Sequence, residues 1–420
     1  MKNIVVIGGG FAGLWSAATA ARNLELMGEK ANITLINKDS YHYIRVRNYE
    51  DELEDTRIPL ASVLDPIGVE LVLGKATGVD TVEKMVTVDS SGAQRQLSYD
   101  KLILASGSHL TRPATPGVVE HTFDIDTYAA AVRLQTHING LGAKPVKPGL
   151  LTAVVVGSGA TGVELACELP ARMRAALAVL GRSDSADDVR VILADRGPAI
   201  SGQLGGAQTV IKHACQELGV ELLPGFSLAS VDSSGLTLAD GTRIEASTVV
   251  WCAGMKAADL TSSIPGERDA SGRLYVDSYM RVKGVEDVYA AGDAAHALID
   301  GERPSVMSCQ HARPMGRYAG HNAVSELFGA EMLSLNIDWY TNIIDLGPWG
   351  AVYSQGWDRV VVAHGEEAKK TKSIINRQRI YPPRNGDREA IYAAAAPDIQ
   401  APPVLAPSKL GELDKKTAVV

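Results

Sequence analysis

NIVVIGGGFAGLWSAATAARN, residues 3–23, decides the fold. A β-branched apolar run leads into three glycines and an alanine-rich helical stretch, and a second apolar run, NITLIN, follows at 32–37. Strand, glycine turn, helix and strand make a βαβ unit. Gly8, Gly10 and Gly13 stand in GxGxxG register within it, with Phe11 and Ala12 between. The three glycines serve, in order, a tight turn, close approach of backbone to a pyrophosphate, and close contact of helix with strand. The helix N-terminus then faces the phosphate charge.

The same pattern recurs at 151–173, LTAVVVGSGATGVELACELPARM, where Gly157, Gly159 and Gly162 repeat the spacing, with Thr161 inside the loop. One chain therefore carries two dinucleotide folds. Between them run short strand candidates, LVLGKATGVD, KMVTVD and LSYDKLILASGS, separated by turn residues. NGLGAKPVKPG at 139–149 has the glycine and proline density of a linker. Further on, VRVILADRG ends a strand in Asp195, STVVWCAG ends another in Ala253 and Gly254, and VYAAGDAAHA runs a strand into Gly292 and Asp293.

The expected class is α/β: two Rossmann-like dinucleotide-binding domains plus a small C-terminal α+β region. The expected division is 1–119 and 256–328 for the two parts of the first nucleotide domain, 120–255 for the second and 329–385 for the C-terminal domain. Residues 386–420, with PDIQAPPVLAPS, read as a proline- and alanine-rich extended tail.

Bulk properties narrow the partners. The 420 residues are 45% apolar and 21% charged with net charge -8, which argues against nucleic acid. Cys167, Cys215, Cys252 and Cys309 form no CxxC or CxxxxC spacing, so neither a disulfide framework nor a zinc ribbon is indicated, and a reducing cytoplasm fits. The nine histidines show no metal-ligand spacing, so no metal is expected. No uninterrupted apolar run reaches the roughly 18 residues of a membrane span.

Two nucleotide folds followed by an AGD strand resemble the two-dinucleotide-binding-domain flavoproteins. The resemblance implies FAD on the first GxGxxG and NAD(P)H on the second. It puts the ribityl chain at Asp293, preceded by Gly292, and the backbone of Ala105, Ser106 and Gly107, in YDKLILASGS, beside the FAD. The disulfide reductases of that superfamily need a CxxxxC pair after the second strand. The corresponding KDSYHYIRVRNYEDELED has no cysteine, and nothing after Cys309 supplies the pair that sulfide-oxidising relatives use.

ITLINKDSYHY at 33–43, GATGVELACEL at 159–169 and VVWCAG at 249–254 look more closely like type II NADH:quinone oxidoreductases. Asn37 stands where an acidic residue usually takes the FAD ribose, and Lys38 beside it either reaches the pyrophosphate or is solvated. Asp195 would accept from the adenosine ribose and repel a phosphate there, favouring NADH over NADPH, although it lies 33 positions beyond Gly162. Glu164 is either a helix-dipole partner or, as the resemblance implies, a neighbour of nicotinamide and flavin.

SCQHARPMG at 308–316 falls where that family carries AQxAxQQ. Cys309 occupies the position of its first alanine, Gln310 and Ala312 keep its first glutamine and second alanine, and Pro314 and Met315 replace its last two glutamines. Pro314 is expected as the first residue of a helix. Lys369, Lys370, Lys372, Arg377 and Arg379 make a basic segment with few apolar partners, so at most a peripheral membrane contact is expected.

The resulting expectation is an FAD-dependent NAD(P)H dehydrogenase, with Glu164 and Gln310 at the reacting centre and a quinone-like acceptor. The alternatives are a soluble reductase of another acceptor, and a slow redox-sensing flavoprotein. A homodimer stays open.

Overall fold

The computed structural model describes residues 1–402. β1 (Lys2–Ile7), α1 (Phe11–Met27) and β2 (Ala31–Asn37) form the βαβ unit read from the glycine pattern. A five-stranded parallel sheet grows from it, with β2 extended by β3 (Glu70–Leu73) and β1 flanked by β4 (Lys101–Leu104). The fifth strand, Val288–Ala290, arrives from far along the chain and pairs with β4. Ile4 to Ile7 and Leu102 to Leu104 are buried, which is why these strands read as unbroken apolar runs rather than alternating ones.

The second unit repeats the plan. β5 (Thr152–Val156), α2 (Ala160–Val179), β6 (Arg190–Ala194), α3 (Ala207–Glu217), β7 (Val220–Leu223) and β8 (Thr248–Trp251) build a four-stranded parallel sheet in the order β7-β6-β5-β8. The chain then returns to the first sheet through β9 (Val288–Ala290) and enters α4 (Cys309–Leu327). Last come an antiparallel meander, β10 (Thr341–Asp345), β11 (Ala351–Gln355) and β12 (Val360–His364), and α5 (Gly365–Ile374), which widens into a π-turn at Ile375–Arg379.

α1 and α4 lie backbone to backbone. A Cβ on Gly316 would meet the Ala12 carbonyl oxygen at 2.2 Å, and one on Gly320 would meet that of Ser16 at 2.2 Å. Ser16 Oγ donates to the Gly316 carbonyl at 2.9 Å across the same seam.

Two expectations are corrected. Pro314 is the sixth residue of α4, not the first, because the helix starts directly after Ser308. An internal proline removes the N–H that would bond the carbonyl four residues earlier, that of Gln310. The tail is also more ordered than its composition suggests. Arg388–Ala394 forms a helix with Ile391 buried, and Thr19 on α1 donates to the Ala395 carbonyl at 2.7 Å. Alanine-rich sequence favours helix when a neighbour buries one face of it. The rest of that stretch, 403–420, lies outside the described residues.

Candidate functional site

The two glycine loops have the same internal mechanics. Gly8 and Gly157 both take positive φ, 104° and 110°. A Cβ on Gly13 would meet the Gly8 carbonyl oxygen at 1.7 Å, and one on Gly162 would meet that of Gly157 at 1.8 Å. A side chain is therefore excluded where each helix crosses its loop. A Cβ on Gly10 meets nothing within 4 Å and one on Gly159 only the Gln203 side chain at 3.9 Å, so both loops face open space at a helix N-terminus.

The residue ending the second strand of each unit ties the loop down. Asn37 Oδ1 accepts from the Gly9 N–H at 2.9 Å. Asp195 Oδ2 accepts from Ser158 N–H at 2.8 Å and Ser158 Oγ at 2.7 Å, and its Oδ1 accepts from Gly197 N–H. Burial works to raise the Asp195 pKa, but those hydrogen bonds outweigh it and hold the carboxyl below its usual range. His42 braces the first loop from beneath, with Nδ1 donating to the Gly9 carbonyl at 2.9 Å and its ring edge-on to Phe11. Burial pushes its pKa down to about 4, so it is neutral at physiological pH. Lys38 is exposed and makes no ion pair among the described residues.

The Ala105 carbonyl and Ser106 lie directly against Gly8, and Ala253 against Gly157. Gly107 and Gly254 both take positive φ where their strands leave the sheets. Gly292 closes on Ala12 of α1 and Ala312 of α4, one residue before Asp293. Asp293 accepts from Ser108 Oγ at 2.6 Å, and its burial raises the carboxyl pKa.

Where the two units and the C-terminal meander meet there is a cavity of about 300 Å³. Ala160, Thr161 and Glu164 wall one part, Ser308, Cys309 and Gln310 another, and Trp339, Tyr340 and Thr341 a third. Gln310 Oε1 accepts from Thr341 Oγ1 at 3.2 Å. Among the described residues, Gln310 Nε2, Ser308 Oγ and Ser106 Oγ are buried without a partner. Buried polar atoms are nearly always paired, so these three have hydrogen-bonding capacity left over.

Glu164 is buried beside a cation from the basic segment 369–379. Lys372 Nζ donates to Glu164 Oε1 at 2.6 Å and to the Ile343 carbonyl at 3.0 Å. The Asp345 N–H donates to the same carboxylate oxygen at 3.2 Å. Tyr49 Oη donates to Asp345 Oδ2 at 3.0 Å, and Lys369 pairs with Asp345 nearer the surface. Burial raises the Glu164 pKa and Lys372 only partly offsets this; the adjacent carboxylate outweighs burial for Lys372 and holds its ammonium above the usual value. Lys372, Asp345 and Tyr49 carry no motif, and all three are too distant from Glu164 along the chain for any local pattern to show the meeting.

A family model for pyridine nucleotide-disulphide oxidoreductases matches residues 2–316. The chain belongs to the pyridine nucleotide-disulphide oxidoreductases. Two curated proteins of Mycobacterium tuberculosis, both named NADH dehydrogenase-like, are 50% identical over 407 residues, covering 96% of this chain and all of each relative. A type II NADH:quinone oxidoreductase of Staphylococcus saprophyticus is 26% identical over 90% of this chain and 94% of its own length. Among solved structures, NDH2 of Plasmodium falciparum in complex with NADH superposes with a TM-score of 0.75 at 14% identity, covering 94% and 97% of the two chains. The sulfide:quinone oxidoreductase of Aquifex aeolicus does so with 0.74 at 19% identity, covering 92% of each.

This oxidoreductase uses FAD and NADH, and the loops fit them: open glycine cradles at two helix N-termini and unpartnered polar atoms between. Despite the family name it carries no cysteine pair at the cavity. Cys309 is the one cysteine on the cavity wall, while Cys167 and Cys215 meet in the second unit at 4.0 Å between sulfurs, both free and buried. No helix of the described residues is long and apolar enough to cross a membrane.

Asp195→Ala is expected to release Ser158 and raise the Kd for NADH about tenfold, the loss of roughly one charge-assisted hydrogen bond net of solvent. Titrating the rapid phase of flavin reduction with NADH measures it. Unchanged affinity would mean that Asp195 organises neither the loop nor the ribose.

Proposed function

We propose that the protein oxidises NADH and passes the electrons to a quinone-like acceptor. FAD supplies the two-electron relay between nicotinamide and acceptor. In this reading the first glycine loop, Asn37 and Asp293 hold the FAD, and the second loop with Asp195 holds NADH. Glu164, kept in place by Lys372, and Thr161 line the nicotinamide side, while Gln310 lines the cavity with its Nε2 unpartnered.

The observation that supports it most is that one cavity touches both the N-terminus of α2 and the N-terminus of α4. A donor held by the second unit and an acceptor entering beside the Trp339–Tyr340 wall can thus reach one flat cofactor.

A reductase of another acceptor keeps one supporting observation. Of the two residues that replace the family's glutamines, Pro314 lines the cavity, whereas Met315 is fully buried in the core and away from it. Anaerobic stopped-flow separates the readings. NADH is expected to reduce the flavin rapidly, and a short-chain ubiquinone analogue to reoxidise it in a saturable phase. Fast reduction followed by slow, unsaturable reoxidation would sink the quinone reading and leave the dehydrogenase one.

A further inference from the structure

The cavity contains two cations that the proposed reaction does not use. Arg313 and Arg317, one turn apart on α4, both line it. They are 8% and 3% exposed, and neither forms an ion pair among the described residues. Arg317 Nη1 reaches the Asp398 carbonyl at 3.4 Å, while its Nε and Nη2 and the Nε of Arg313 are buried without an acceptor. Both guanidiniums stack on Trp15, at 5.6 Å and 4.7 Å from the ring centroid. Arg379, a third cation on the same wall, donates to the Ala401 carbonyl.

Asp398 lines the same cavity and favours the charged form of Arg317 without pairing with it, and the energies do not balance without a further anion. Burying an ion costs several kcal/mol even after relaxation. Cation–π contacts and one long hydrogen bond to a carbonyl return less than that cost. Burial lowers the two pKa values to about 10 and about 9, so both side chains are still charged at neutral pH. The chain thus maintains two adjacent positive charges facing a cavity that also presents the apolar side chains of Ile337, Trp339, Ile375 and Ile380.

We propose that Arg313 and Arg317 form an anion subsite, so that the electron acceptor is a flat apolar molecule carrying a carboxylate or comparable acidic group. This rests on the reading that the cavity is where the acceptor meets the flavin. The acidic group takes no part in the redox balance. NADH gives up a hydride, the acceptor gains two electrons and two protons, one of them from solvent, and its anionic group leaves unchanged.

The test uses FAD-loaded protein and two redox-inert probes of equal shape, naphthalenesulfonate and the neutral naphthalenesulfonamide, read by flavin difference absorbance and by calorimetry. The sulfonate is expected to bind at least about tenfold more tightly, a preference lost in Arg317→Gln and Arg313→Gln and retained in Arg317→Lys, where the charge stays. Equal affinities in the wild-type protein overturn the subsite, because the bound cofactor or Trp15 would then satisfy the guanidiniums. That comparison needs no variant to fold. Reduction of the same sample by NADH alone keeps the two readings apart: a protein reduced by NADH that shows no anion preference loses the subsite only. A protein that prefers the anion but is not reduced loses the reading beneath it.

Discussion

Gly316→Val is expected to yield a chain with little bound flavin and a stability lowered by more than about 3 kcal/mol, at or beyond the upper end of what overpacking costs. The Cβ alone would sit 2.2 Å from the Ala12 carbonyl oxygen, 2.8 Å from its carbon and 2.9 Å from its Cα. All three are backbone atoms, so no rotamer change relieves the clash. α1 must move off α4, and α1 begins at the first glycine loop, so the displacement carries Phe11 and Ala12 with it. Denaturant midpoint and flavin absorbance per chain measure the two effects. Gly78→Ala is the control, because a Cβ there meets nothing within 4 Å. Full flavin content and an unshifted midpoint in Gly316→Val would refute the close crossing of the two helices.

Lys372→Met is expected to cost about 3–5 kcal/mol at neutral pH, the range for leaving one member of a buried ion pair uncompensated. Lys372 and Glu164 are 8% and 6% exposed, so water cannot replace the lost ammonium. Glu164 already has a pKa above the usual carboxylate value; without its partner the value rises further, and the carboxyl takes up a proton. A carboxyl whose folded pKa exceeds its unfolded one stabilises the fold fully below the unfolded value, and this is lost as pH rises. The deficit of Lys372→Met should therefore be small near pH 4 and grow toward neutrality, following the same linkage. Adding Glu164→Gln to Lys372→Met should restore much of the stability at neutral pH, since an amide carries no charge to bury. Unfolding curves across that pH range decide it; a pH-independent deficit, or a double variant no better than the single, would mean that the pair is not what holds α5 against α2.

The wider architecture follows from period and punctuation. β-branched apolar runs long enough to cross a sheet, each ended by glycines in fixed register, specify strand–turn–helix locally, because only glycine tolerates positive φ at Gly8 and Gly157 and the contact at Gly13 and Gly162. Asn37 and Asp195 are legible as strand-end polar residues, though the structure shows both of them holding the loop's own N–H groups. The start of α4 is not legible in the same way: a proline signals a first helical turn, yet it is Ser308, six residues earlier, that opens the helix. Gly316 and Gly320 stand four apart on α4, but only the structure shows that this face meets the backbone of α1.

The sequence by itself determined the two nucleotide units, their order and their ligand class, since each rests on contacts within a βαβ unit of roughly 30 residues. Only the tertiary structure decided what surrounds Glu164 and Gln310. Glu164 meets Lys372 across 208 positions, and Arg313 and Arg317 face a wall built from residues 337–343, 375–380 and 398–400. A charged side chain in a sequence looks the same whether it ends in water or in a dry cavity. Its burial, and hence its pKa and its need for a partner, is set by which distant segments fold over it.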